Sequence, residues 1–294
     1  KVTDMSSLFE RNEVFNQPIG NWDVSSVTTM NSMFFVARSF NQDIGAWDVT
    51  NVVDMSAMFR ATNSFDQDLG LWDTSACQDM SKMFASAVNF NQDLSNWKTS
   101  NVLNMNYMFN GAYKFNNNIS SFDTSKVTDM SGTFEFALEF DQDISKWQTS
   151  RVTTMKSMFS NVAVFNGDIS GWDVANVQDM SSMFTAAVVF NQNLNPWNTR
   201  SAQAMQAMFY NAPAFSQNLC WDLTTSGTNI MDATLNTNGA QIYDVSDPSC
   251  ANQPTKSPTV APTVHVPTPP SPPYQPVDKA ALLSAVNAWY SDEA

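Results

Sequence analysis

The chain contains a single histidine, His265. It lies in a proline-rich stretch with no fixed partner, so imidazole acid–base or triad chemistry lacks a positioned group. There are three cysteines, and no Cys/His spacing suits a zinc site. Glycine is sparse, nine residues in all, and no glycine-rich phosphate loop occurs. Basic residues are few: 14 Lys and Arg stand against 28 Asp and Glu, a net charge of −14. That excludes nucleic acid, whose phosphates need Lys and Arg, and argues against docking on an anionic membrane. It is compatible with cation binding and with solubility outside a cell. No apolar run reaches the ~18 residues of a membrane span, and no secretory signal is visible.

What the chain has is a period. Methionine falls at residues 5, 30, 55, 80, 105, 130, 155, 180 and 205, always 25 apart. Phenylalanine keeps the same step from Phe9 to Phe209, and a second phenylalanine column runs from Phe15 to Phe215. About nine copies follow without insertion, the mark of a solenoid stabilised by stacking of neighbours. The consensus turn is Phe-Asn-Gln-Asp-Ile-x-x-Trp-Asp-Val-Ser-x-Val-Thr-x-Met-x-x-Met-Phe-x-x-Ala-x-x, and residues 40–64 follow it closely. Met180, Met183, Phe184 and Ala187 stand at i, i+3, i+4 and i+7, the spacing of one helical face, and Asp179 is placed as an N-cap. Residues 43–49 read as a short extended segment that stacks into a parallel sheet. The expectation is an α/β fold: a leucine-rich-repeat-like solenoid with one short strand and one short helix per turn.

The regularity predicts four parts. Residues 1–222 form the 25-residue-repeat solenoid. Trp221 arrives one position early, and residues 223–252 read as an irregular C-terminal cap. Residues 253–276, rich in Pro, Thr and Ser, form an extended spacer. Residues 277–294 form an amphipathic helix, with Leu282, Val286 and Trp289 on its apolar face, expected to cap a following or neighbouring solenoid. Lys1 opens in mid-repeat, so the chain is expected to be a piece of a longer polypeptide.

Cys77 takes a position held by valine in other copies and reads as a buried thiol. Cys220 and Cys250, at and after the last repeat, are the candidate disulfide and imply an oxidising compartment; two unrelated thiols are the other reading. One aspartate column holds Asp43, Asp68, Asp93, Asp143 and Asp168; another holds Asp23, Asp48, Asp73, Asp123 and Asp173. Stacked carboxylates repel, and rows of hard oxygen make the first column a weak Ca²⁺ candidate. The competing reading, in which each Asp caps its own turn as an Asx-turn, is favoured because Asn118, Asn193, Lys98 and Gln148 interrupt the columns. No other metal or cofactor is expected. The tryptophan column (Trp22, Trp47, Trp72, Trp97, Trp147, Trp172, Trp197) reads as core, with sugar stacking as the alternative. Asn118 begins a glycosylation sequon, and Thr255, Ser257, Thr259, Thr263 and Thr268 are candidate O-glycan acceptors.

The Phe-Asn-Gln-Asp-Ile-x-x-Trp-Asp-Val-Ser-x-Val-Thr-x-Met-x-x-Met-Phe pattern of residues 1–222 resembles the BspA-type branch of the leucine-rich repeats, in its methionine-rich variant. The linker is similar in composition to those of secreted and wall-associated diatom proteins. The resemblance implies a leucine-rich-repeat-like fold, an inward ladder formed by Asn16, Asn41, Asn91, Asn116, Asn166 and Asn191, and a cell-surface or extracellular setting. It implies no catalytic residue. The expected function is a non-enzymatic structural or adhesive module of a surface or fibre-forming protein, associating with itself or with neighbouring solenoid modules. The alternative is a recognition module for glycans or other surface proteins, Ca²⁺-dependent or not.

Overall fold

The structure is a computed structural model that describes residues 2–223 and 228–250. The Pro-rich spacer, its candidate glycosylation sites and the helix with Leu282, Val286 and Trp289 lie outside the described residues. Among the described residues there is no α-helix, and strands occur in one place only. β1 (Asn218–Trp221) pairs in parallel with β2 (Gln241–Asp244), with Asn218 opposite Gln241 and Trp221 opposite Asp244. A single 3-10 turn, Pro248–Cys250, follows. Elsewhere each repeat meets the next through one isolated parallel bridge, from Asp4↔Thr29 along the chain to Ala204↔Asn229. The expected strand-plus-helix α/β solenoid is therefore incorrect. The described residues form a stack of 25-residue turns built almost wholly from chained β-turns.

The backbone shows why the helix fails. In a helix every N–H reaches the carbonyl four residues back. Here the N–H groups alternate. Met33 and Phe35 donate to the carbonyls three residues earlier, Met30 and Ser32. Met30, Ser32, Phe34 and Val36 instead donate across to Asp54, Ser56, Met58 and Arg60 of the next turn, at 2.8–2.9 Å. Ser32 and Val36 take positive φ, 56° and 61°, as the third residue of a type II turn does. The same two positions are left-handed in every copy, whether filled by Ser, Ala, Asn, Lys, Tyr or Gly. Each non-glycine residue there costs on the order of 1 kcal/mol. Its N–H gains a bond to the neighbouring turn, which a helical conformation would forfeit.

A chain of turns also returns to one side every three or four residues. Met30, Met33, Phe34 and Ala37 are accordingly all buried, so the helical spacing marked the right core residues in the wrong conformation. Phe34 and Phe40 stack within a turn at 4.0 Å, and Phe34–Phe59 and Phe40–Phe65 continue the rows at 5.6 and 5.9 Å. Burial of each such ring is worth roughly 1.5–3 kcal/mol. The expected strand column near residues 43–49 has no ladder of its own until its last copy, β1, finds β2.

The stack also runs further than the motif. Asn229 bridges Ala204, and Asn229, Met231, Ala233 and Leu235 accept N–H bonds from Met205, Ala207, Phe209 and Asn211. Asp232 and Asn236 carry the paired positive φ. Residues 229–236 thus form a further turn of the same kind inside the segment expected to be irregular.

Candidate functional site

The recurrent polar side chains were the first candidates for chemistry. Asp43, Asp68, Asp93, Asp143 and Asp168 each accept the N–H two residues ahead at 2.8–2.9 Å, the Asx-turn geometry. Asn118 and Asn193 do the same, which explains how they interrupt the row without breaking the fold. Asp23, Asp48, Asp73, Asp123 and Asp173 make a second such row, and Asp4, Asp54, Asp79, Asp129 and Asp179 a third. The backbone N–H of Ser95 and the hydroxyl of Ser145 hold Asp93 and Asp143 below the ordinary carboxylate range. Lys98 replaces an aspartate and sets its ammonium 2.8 Å from Asp73 in the preceding turn, which brings Asp73 down to about 2. Among the described residues no three His, Cys, Asp or Glu side chains gather as metal ligands.

Six tryptophans, Trp47, Trp72, Trp97, Trp147, Trp172 and Trp197, are buried in the core. The indole N–H of each donates to a carbonyl 28 residues earlier, at 3.0–3.2 Å. The asparagine ladder is present but lies at the surface rather than inward. Asn16 Oδ1 accepts the Asn41 N–H at 2.9 Å, and Asn41 in turn accepts from Asp66. Only an acceptor is required, so Asp66 and Asp141 stand in the same row. Sequence reasoning missed the glutamines beside it. Gln42, Gln67 and Gln142 each donate an amide to the same Asn oxygen, and their 25-residue recurrence was the available signal.

Cys220 and Cys250 form a disulfide with Cα atoms 5.8 Å apart, tying β1 to the segment after β2. Cys77 is free and buried, and desolvation pushes its thiol up to about 12. Asn118 is exposed, with its Oδ1 in the Asx-turn and Nδ2 without a protein partner among the described residues. No helix among them is long and apolar enough to cross a membrane.

These rows are satisfied within the stack. Val2, Asp4, Met5, Leu8, Asn21, Trp22 and Asp23 line an open cavity of about 680 Å³. Trp22 is 37% exposed, unlike its buried equivalents, and its indole N–H has no acceptor among the described residues. Leu8, in the same cavity, is 50% exposed. This end face is the candidate site. It offers apolar surface around the Trp22 indole and the carboxylates of Asp4 and Asp23.

A stack of chained-turn repeats closed by a disulfide-tied end defines the chain as a repeat protein. The family described as "Mycoplasma protein of unknown function, DUF285" matches residues 1–89, 67–166 and 137–244, and the chain belongs to that family. No curated protein matches it.

Proposed function

We propose that this chain is a non-enzymatic structural or adhesive module of a larger extracellular or cell-surface protein and that it assembles head to tail with like modules. The observation that carries this reading is where the polar groups are spent. The Asn, Gln and Trp rows hold one turn on the next, the Asp rows cap their own turns, and exposed apolar surface gathers around Leu8 and Trp22. The Cys220–Cys250 disulfide supports an oxidising compartment, and the resemblance to BspA-type surface proteins supports the same setting. One observation favours a second reading, a glycan-binding module: the half-open Trp22 ring at the end cavity, since indole faces stack on sugars.

Arrays of glycans and extracellular proteins, run with Ca²⁺ and with chelator, separate the two. The structural reading expects no saturable ligand. Saturable glycan binding lost in Trp22→Ala establishes the recognition module instead. Turnover in a substrate screen, abolished by a single Asp→Asn change, overturns both.

A further inference from the structure

The row of Asp43, Asp68, Asp93, Asp143 and Asp168 has one task in the fold: to supply an oxygen that accepts the N–H two residues ahead. Asn118 does this with Oδ1, which accepts the Ser120 N–H at 2.9 Å. Its Nδ2 stands where an aspartate has a second oxygen, and the turn does not use it. Among the described residues Nδ2 has no partner, and Asn118 is exposed. Other exposed asparagines differ. Nδ2 of Asn51, Asn101 and Asn176 donates to a carbonyl of the preceding turn, that of Ser25, Ser75 and Ser150. A bulky substituent on those nitrogens crowds a bond between turns; on Asn118 it disturbs none.

The hydroxyl two residues on is equally free of a structural duty. Gly20, Gly45 and Gly70 fill that position in earlier turns, so the fold does not require a side chain there. Ser120 contributes its backbone N–H to the turn. Ile119 between them is buried. Asn118-Ile119-Ser120 is thus at once a turn of the stack and an N-glycosylation sequon, the one Asn-x-Ser/Thr triplet in the chain. The other asparagines of the row lack the hydroxyl. Asn193 is followed at that distance by Asn195, and Asn218 by Cys220, whose sulfur is held in the disulfide.

We propose that Asn118 carries an N-linked glycan. This rests on the extracellular reading, since the sugar is added in a secretory compartment, where the Cys220–Cys250 bridge also forms. The donor class is an oligosaccharide activated as a polyprenyl diphosphate. Nδ2 bonds to the anomeric carbon, and the nitrogen gives up a proton. The bond from that carbon to the diphosphate oxygen breaks, and its electron pair leaves with the diphosphate. Oδ1 is untouched, so the Asx-turn survives the modification. The glycan, bulky and solubilising, then stands in the Asp row between Asp93 and Asp143 and keeps that face in solvent. Contacts of the module with a partner are thereby confined to its other faces.

Peptide mapping of the protein from its natural host tests this, before and after an amidase that cleaves the sugar–asparagine bond in heavy-oxygen water. The peptide containing Asn118 is expected to carry the added mass, and release to leave an aspartate with heavy oxygen in its side chain. Peptides containing Asn193 and Asn218 are expected to carry none. Two variants returned to the same host, Asn118→Asp and Ser120→Gly, lose the glycan and keep the fold, because aspartate fills the first position at Asp93 and Asp143 and glycine the second at Gly45 and Gly70. Far-UV circular dichroism verifies that both are folded. A bare Asn118 in protein whose Cys220–Cys250 bridge is formed overturns the proposal and leaves the extracellular reading standing. A bare Asn118 with both cysteines recovered as thiols overturns the two together. Ser120→Gly that keeps the added mass also overturns the proposal.

Discussion

The indole N–H of Trp147 donates to the carbonyl oxygen of Ile119 at 3.2 Å, one turn earlier in the stack. That carbonyl also receives the N–H of Phe122, three residues on. One side chain thus fills the core and bonds the backbone of the neighbouring turn, and a buried indole finds such a partner wherever the column supplies one. The column has a single gap. Phe122 stacks on Trp147 with ring planes 1° apart but has no donor, so the Leu94 carbonyl keeps only its local bond, from the N–H of Trp97.

Phe122→Trp is expected to stabilise the protein by about 1 kcal/mol through the missing bond to Leu94, while Trp147→Phe costs roughly 1–2 kcal/mol. Urea unfolding of the two variants measures both. Equal destabilisation by the two changes shows that size at this column, not the indole N–H, decides.

Thr199 makes a second test. Thr99, Thr124 and Thr149 each donate a hydroxyl to a carbonyl 24 residues ahead. Thr199 is as buried but its Oγ1 has no partner, because the chain slips by one residue at Trp221, whose indole reaches 27 residues back rather than 28. Val24, Val49 and Val174 occupy the same column. Thr199→Val is expected to stabilise by about 1 kcal/mol, since it removes a buried unsatisfied hydroxyl, and Thr149→Val to destabilise by a similar amount. Thermal melts that move in the same direction for both contradict the pairing described.

How much of this was legible in the sequence depends on what the period reports. A 25-residue repeat of Met, Phe and Trp names the core residues, because burial is a property of the column. It names the Asx caps too, since Asp43 and Asp68 bond N–H groups only two residues away. The same pattern misidentified the backbone. Apolar residues at i, i+3, i+4 and i+7 suit a helical face and suit chained turns equally. The deciding fact, positive φ at positions such as Val36 and Lys82, runs against residue preference and is imposed by bonds to the next turn. The end face was legible only in part. Exposed Leu8 and Trp22 look like any other members of their columns until the stack is built.

Cys220 and Cys250 close a loop of 30 residues around the last turn and β2. In the chain-entropy account that is worth roughly 3–4 kcal/mol. Cys250→Ser is expected to lose that much and to release β2 from β1 while the earlier turns stay folded. Non-reducing mass mapping with alkylation checks the pairing: Cys77 is expected to stay unmodified until the stack unfolds, as its burial and raised thiol pKa require. Label on Cys220 in the unreduced protein would contradict the bridge.

Glu135 sets the pH response between the carboxylate range and neutrality. It is largely buried, and desolvation raises it from 4.5 to about 7, against the opposing effects of the Asn110 amide at 3.0 Å and of Lys156. Between those two values the unfolded chain has released this proton and the native protein still holds it. Stability therefore falls as pH rises through the window, by up to about 1.4 kcal/mol per pH unit, and levels off above it. The depressed aspartates act the other way and at lower pH. Asp73, at about 2 beside Lys98, gives stability that is present above the ordinary aspartate value of 3.8 and lost as pH falls toward 2. Glu135→Gln keeps the shape and the acceptor for Asn110 but cannot ionise. Its unfolding free energy should be flat from pH 4.5 to 7 where that of the wild type declines, and the two curves should separate most at the neutral end. Parallel curves across that range assign the slope to some other group.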